Sequence, residues 1–168
     1  MTPIAVDASD RGQVASLVAG ADAVVVALRF PEGQERRVSD VTARCLDAAQ
    51  AHHASVLIVG GSAPLTSPTT DALVLDDPRW VPAEWRDIAA ASLAQWEACR
   101  AHAYQRWTYL SPSAVFEPGQ PTGRYRRGTT TLLVDGAGNS RVTPGELALA
   151  LLDELESPSG EQHFTVAS

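Results

Sequence analysis

Ala23-Val24-Val25-Val26-Ala27-Leu28 and Ser55-Val56-Leu57-Ile58-Val59 are two unbroken apolar runs, and the segment between them decides the fold. A short β-branched run without polar alternation is a strand buried on both faces of a parallel sheet. Between them Val38 to His53 reads as a helix, with Val41, Cys45, Leu46 and Ala49 on one stripe. Strand, helix, strand in that order is the unit of parallel α/β architecture.

The same alternation continues outward. Upstream, Ile4-Ala5-Val6 reads as the tail of a first strand ending at Asp7. Asp10 to Ala19 follows as a helix stopped by Gly20, with Val14, Leu17 and Val18 on its inner face. Downstream, Ala63 to Trp80 is broken by Pro64, Pro68 and Pro78, a long loop of the kind that is functional or mobile. Pro82 opens a helix running to about His102, and Trp107 to Leu110 forms the next strand, followed by Ser111-Pro112-Ser113. Thr130–Val134 and Ser140–Thr143 flank the glycine-bearing turn Asp135–Asn139 and predict a hairpin. Thr143, Pro144 and Glu146 have capping-box spacing ahead of a last helix whose apolar face is Leu147, Leu151, Leu152 and Leu155. His163 to Val166 closes the chain as an edge strand. The reading is a single α/β domain over residues 1–168.

The totals narrow the function. A net charge of −7 argues against a nucleic-acid footprint, which needs a basic face. The longest apolar run is too short for a membrane span, and Met1-Thr2-Pro3-Ile4 has no signal-peptide character. Cys45 and Cys99 form no C-x-x-C, so a reducing, cytoplasmic setting is the expectation. His52-His53, His102 and His163 have no metal-ligand spacing, so no metal is expected. A small-molecule substrate is the expected partner, with neither nucleic acid nor membrane.

Several stretches together resemble the atypical short-chain dehydrogenases, in particular the NAD(P)H-binding family related to NmrA-like proteins and flavin/biliverdin reductases. They are Val6 to Asp10, Val18 to Leu28, Val59 to Leu65, Trp107 to Gly119, Leu133 to Gly136 and Leu151 to Glu156. The resemblance implies a Rossmann-like parallel sheet with flanking helices, an NAD(P) cofactor, and hydride transfer to a small acceptor such as a flavin or quinone. The departures matter as much. Such a domain begins with a strand, a glycine-rich turn and a helix; this chain opens at what corresponds to the third strand, lacking the first two strand–helix units. None of the 12 glycines forms G-x-G-x-x-G or G-x-x-G-x-x-G, so tight dinucleotide binding is expected to suffer. Ala23–Leu28 would expose an apolar edge, to be covered by the opening segment, a partner chain or a second copy. A non-catalytic NmrA-like binding or regulatory module, or a truncated remnant, is the alternative expectation.

By the resemblance, Asp7 would meet the adenine amino group; helix capping near Asp10 is the plainer role. Ala27, Leu28 and Arg29 would flank the adenosine ribose, with Arg29 also able to meet a phosphate or simply be solvated. Gly60 and Gly61 would form a tight turn beside the cofactor. Ser62 is the one candidate for a catalytic hydroxyl polarising the substrate carbonyl, or else caps that turn. Ser111, Pro112, Ser113 and Phe116 would line the nicotinamide side, or pack Phe116 into the core. Arg124, Arg126 and Arg127 could steer an anionic substrate or form a solvated face. The Tyr-x-x-x-Lys proton-transfer pair is absent: the chain has no lysine, and Pro82–His102 no tyrosine.

Overall fold

A computed structural model describes residues 2–120 and 122–168. Its elements, in chain order, are α1 (Arg11–Val18), β1 (Ala23–Val26), α2 (Arg37–His52), β2 (Ser55–Val59), α3 (Arg86–Ala101), β3 (Trp107–Ser111), β4 (Val115–Phe116), β5 (Arg126–Gly128), β6 (Arg141–Val142), α4 (Pro144–Glu156) and β7 (His163–Ala167). Single 3₁₀ turns at Val74–Asp76 and Ala83–Trp85 punctuate the long connection before α3.

The main sheet has the order β1-β2-β3-β7-β5. Its first three pairings are parallel, and β5 joins antiparallel to β7. Because successive side chains of a strand alternate in direction, β2 sends Val56 and Ile58 to one face and Leu57 to the other. The first face carries α1, α2 and α3 around a core of Val14, Val41, Leu46, Ile58, Cys99 and Tyr109. The opposite face packs α4 through Leu147 and Ala150 onto Leu57, Leu110, Phe164 and Val166. This is a mostly parallel, Rossmann-like α/β sheet flanked by helices.

Four expectations need correction. Residues 4–6 are not in a strand, and Ile4 and Val6 are exposed. A three-residue run holds strand conformation only against a neighbour that takes its backbone bonds, and it does not pair with β1. Within the described residues β1 is therefore an edge, with Val25 44% exposed.

No hairpin forms around Asp135–Asn139. The turn is closed locally, with Asp135 Oδ1 accepting from the Ala137 and Asn139 backbone N–H groups. Its flanks find other partners: the Leu132 N–H donates to Thr66 O, and β6 pairs in parallel with β4.

β7 is an inner strand, because the charged segment Arg126–Gly128 lies outside it. On α4 the buried stripe is Leu147, Ala150 and Glu154, leaving Leu152 and Leu155 exposed. Glu154 can lie inward because Arg127 Nη1 sits 2.9 Å from it and Ser159 donates to it. The same Arg127 stacks 3.7 Å from the Phe164 ring, and Arg126 donates to Ser168 O and Val134 O. These two arginines are fastened to the fold rather than turned toward a substrate.

The capping box forms as read. The Glu146 N–H donates to Thr143 Oγ1, while Glu146 Oε2 accepts from the Thr143 N–H. Thr143→Ala is expected to cost ~1 kcal/mol, a midpoint loss of about 2–4 °C in a thermal melt.

Candidate functional site

A cleft of about 680 Å³ opens at the carboxyl ends of β1, β2 and β3, where parallel α/β sheets bind ligands. Three loops make it. The segment after β1 supplies Leu28, Arg29 and Phe30; the turn after β2 supplies Gly60, Gly61 and Ser62; the turn after β3 supplies Pro112, Ser113 and Phe116. The far wall is the connection before α3, with Arg79, Trp80 and Trp85, and the first turn of α3, with Ile88.

Eight residues singled out in the sequence thus meet around one space: Leu28, Arg29, Gly60, Gly61, Ser62, Pro112, Ser113 and Phe116. Three lie outside its lining. The Asp7 carboxylate accepts from the Ser9 N–H at 2.8 Å and the Ser9 hydroxyl at 2.7 Å, which holds its pKa below the ordinary value. Helix capping belongs to Asp10, whose Oδ1 accepts from the Gly12 and Gln13 N–H groups. Ala27 is exposed outside the cleft. Ser111 is fully buried, its hydroxyl within bonding distance of Gly61 O at 2.8 Å and His163 Nε2 at 2.9 Å. Phe116 is 52% exposed, at the mouth of the cleft rather than in the core. The Ser113 hydroxyl donates to Val166 O and is committed to the fold.

Gly60 and Gly61 do not serve a left-handed turn, since neither has a positive φ. They are small because neighbours come close: a Cβ on Gly60 would lie 1.9 Å from the Tyr109 hydroxyl, and one on Gly61 2.7 Å from Ser92 Oγ. Under them runs a buried polar chain. The Tyr109 hydroxyl donates toward Ser92 O and Gln95 Oε1, and Gln95 Nε2 donates to Thr42 Oγ1. Burial pushes the Tyr109 phenol well above its ordinary value, beyond reach of acid–base work at neutral pH. Burial also raises both cysteine thiols, that of Cys99 to about 12, so neither is a ready nucleophile.

The far wall escaped sequence reading except as a long, proline-broken loop. It is fixed in place. Ser67 and Thr69 hydroxyls donate to Asp77 Oδ2, and the Arg79 N–H donates to Asp77 Oδ1. Leu65, Val74, Val81 and Leu132 form a separate small core beneath it. A proline spacing cannot show this, because the partners include Thr66 and Leu132, far apart in sequence. The only available signal was the tryptophan pair Trp80 and Trp85 in so short a span.

A family model described as NAD(P)H-binding matches residues 1–158. The chain belongs to that NAD(P)H-binding family. Its relatives include YwnB of Bacillus subtilis, 33% identical over 150 residues, which span 88% of this chain and 70% of that protein. Among solved structures, a provisionally named epimerase from Bacteroides thetaiotaomicron is 29% identical with a TM-score of 0.83, covering 96% of this chain and 74% of its own. A provisionally named NADH-flavin reductase from Streptococcus pneumoniae has a TM-score of 0.89 at 22% identity, covering 100% of this chain and 80% of its own.

The family's nicotinamide cofactor can be tested against the residues present. The Gly60–Ser62 floor and the Pro112–Phe116 wall give a smooth, mostly apolar recess suited to a nicotinamide ring. The pyrophosphate half fits less well: no glycine-rich turn occurs, and Arg29 is the one cation lining the β1 end. No described helix is long and apolar enough to cross a membrane.

Proposed function

We propose that this chain is the acceptor-binding and nicotinamide-side part of an NAD(P)H-dependent oxidoreductase acting on a small, flat, conjugated acceptor such as a flavin or quinone. The observation that carries the reading is the cleft itself: aromatic and aliphatic side chains line it, at the carboxyl ends of parallel strands where α/β sheets bind ligands, in a chain of the NAD(P)H-binding family. The Streptococcus pneumoniae neighbour is named for this chemistry, though at 22% identity it testifies to the fold.

When bound, NAD(P)H supplies a hydride to the conjugated ring, and the reduced acceptor then takes a proton from solvent. The chain's own contribution is to hold an acceptor ring against the cleft's aromatic side chains, Trp85 and Phe116 among them. Ser62, half-buried in the floor, is the hydroxyl assigned in this reading to donate to an acceptor carbonyl. No tyrosine–lysine relay is required, because a flavin or quinone needs no protein acid of that kind. A second reading, a module that binds its ligand without turnover, draws on the same fact: the one tyrosine beneath the site, Tyr109, is locked in a buried network.

Thermal melts with NADH and NADPH test the cofactor, and loss of nicotinamide absorbance with flavin or quinone acceptors tests turnover. Ligand at 100 times its dissociation constant is expected to add about 2.7 kcal/mol, or roughly 5–10 °C. A shift with turnover supports the oxidoreductase. A shift without turnover supports the binding module. No shift with either dinucleotide removes both in their NAD(P)H form.

A further inference from the structure

The ionisable residues lining the cleft are, among those described, Arg29, Glu35 and Arg79. Two positive charges and one negative leave the recess cationic in a chain whose net charge is −7. Such a recess in an acidic surface draws anions and concentrates them. Glu35 is turned to its own loop, accepting from the Gly33 N–H at 2.9 Å.

Arg79 is held as a recognition group is held. Its guanidinium lies 4.7 Å over the Trp80 ring, and Nη2 donates to Gly138 O at 2.9 Å. Its backbone is pinned to Asp77, whose Oδ2 also takes the Ser67 and Thr69 hydroxyls. Among the described residues no carboxylate lies within ion-pair distance of the Arg79 guanidinium. A guanidinium has five N–H donors in a planar fork, and one is spoken for. An oriented arginine with donors to spare, stacked on Trp80 and on the wall of a cationic cleft that Trp85 also lines, is matched to a planar ring carrying a carboxylate or phosphate.

Resting on the function proposed above, we infer that Arg79 selects the acceptor: the cleft takes a conjugated ring with an anionic group against Arg79, in preference to a neutral ring. Riboflavin and flavin mononucleotide share one ring system and differ by a phosphate, so they isolate the charge. Isothermal titration of the protein with each, without dinucleotide and at low salt, is expected to show flavin mononucleotide binding about tenfold more tightly or better. Arg79→Gln should abolish that preference while leaving riboflavin affinity in place, and Arg79→Lys should restore part of it. Arg29→Gln, which removes a charge from the same cleft but leaves the Arg79 contact, should lower the ratio far less than Arg79→Gln. Circular dichroism of each variant confirms that the fold survives.

Equal affinity for the two flavins in the unaltered protein overturns the inference, as does a preference that survives Arg79→Gln, or no binding of either flavin. The broader reading is judged separately, by NADH or NADPH oxidation with the neutral quinone menadione. Turnover of menadione that Arg79→Gln leaves unchanged, beside flavins of equal affinity, would keep the oxidoreductase and discard the role of Arg79.

Discussion

Gly60→Ala is expected to lower the thermal midpoint by about 6–12 °C, the equivalent of ~3 kcal/mol of overpacking in a domain of this size. The added Cβ would lie 1.9 Å from the Tyr109 hydroxyl oxygen, 2.0 Å from Cζ and 2.4 Å from Cε1. The ring has nowhere to retreat. Tyr109 is fully buried, edge-on to His163 at 5.5 Å, with its hydroxyl bonded to Ser92 O and Gln95 Oε1. Any shift of the ring breaks those bonds and strands a buried hydroxyl, adding to the steric cost. Gly61→Ala is the control from the next position. Its close contact is with Ser92 Oγ at 2.7 Å, which can rotate away, while Ser92 Cβ at 3.0 Å needs a shift of only a few tenths of an ångström. It should cost ~1 kcal/mol or less, with Ser92→Ala relieving part of it. A Gly60→Ala melt within about 2 °C of the parent would mean the β2 end gives way easily, and the floor would then be soft rather than set.

That glycine pair shows how the sequence speaks and where it stops. Gly60-Gly61 after an apolar run marks the end of a central strand correctly, because a two-sided run must end where the backbone leaves the sheet. The reason for the glycines was out of sight: it is the approach of Tyr109 and Ser92 from elsewhere in the chain. β2, β3 and the capping box at α4 were legible because each is written in contiguous residues with its own periodicity. β5 was not, because Arg126-Arg127-Gly128 carries no β-type pattern; it becomes a strand only through pairing with β7 and through Arg127 reaching Glu154 and Phe164. The α4 stripe was misread for a related reason. Leucine count pointed to Leu152 and Leu155, while two buried glutamates with partners on other segments turned the helix so that Leu152 faces solvent.

The site was half legible on the same logic. Residues just past β1, β2 and β3 converge because parallel strands end on one side of a sheet, whatever the loops contain. The wall opposite them, with Arg79 and Trp80, depends on Asp77 gathering Ser67, Thr69 and the Arg79 N–H, and on Thr66 joining Leu132. No spacing rule places those groups together.

Stability is expected to fall in two stages on acidification, and His163 sets the first. The Gly61 carbonyl needs a proton donor, and among the described residues the Ser111 hydroxyl provides it. Ser111 therefore accepts from His163 Nε2–H, leaving His163 Nδ1 buried and bare. Protonating the ring would place a charge and an N–H where no acceptor stands. Burial accordingly lowers its pKa from 6.5 to about 4. The unfolded chain binds that proton first, so the stability is whole above pH 6.5 and drains as pH falls toward 4, by ~3 kcal/mol in all. Glu146 sets the second stage. Held at about 2 by the Ser168, Thr122 and Thr143 donors, it keeps its contribution above pH 4.5 and loses it below. Urea unfolding at pH 7, 5.5 and 4.5 separates the two, since Glu146 has barely begun to matter at 4.5. Over that range the parent should lose about 2–3 kcal/mol. His163→Gln, which keeps a donor for Ser111 and cannot take up a proton, should lose far less. An equal loss in both would show that the acid-sensitive group lies elsewhere and that the ring beneath the Gly60–Gly61 turn is already solvated.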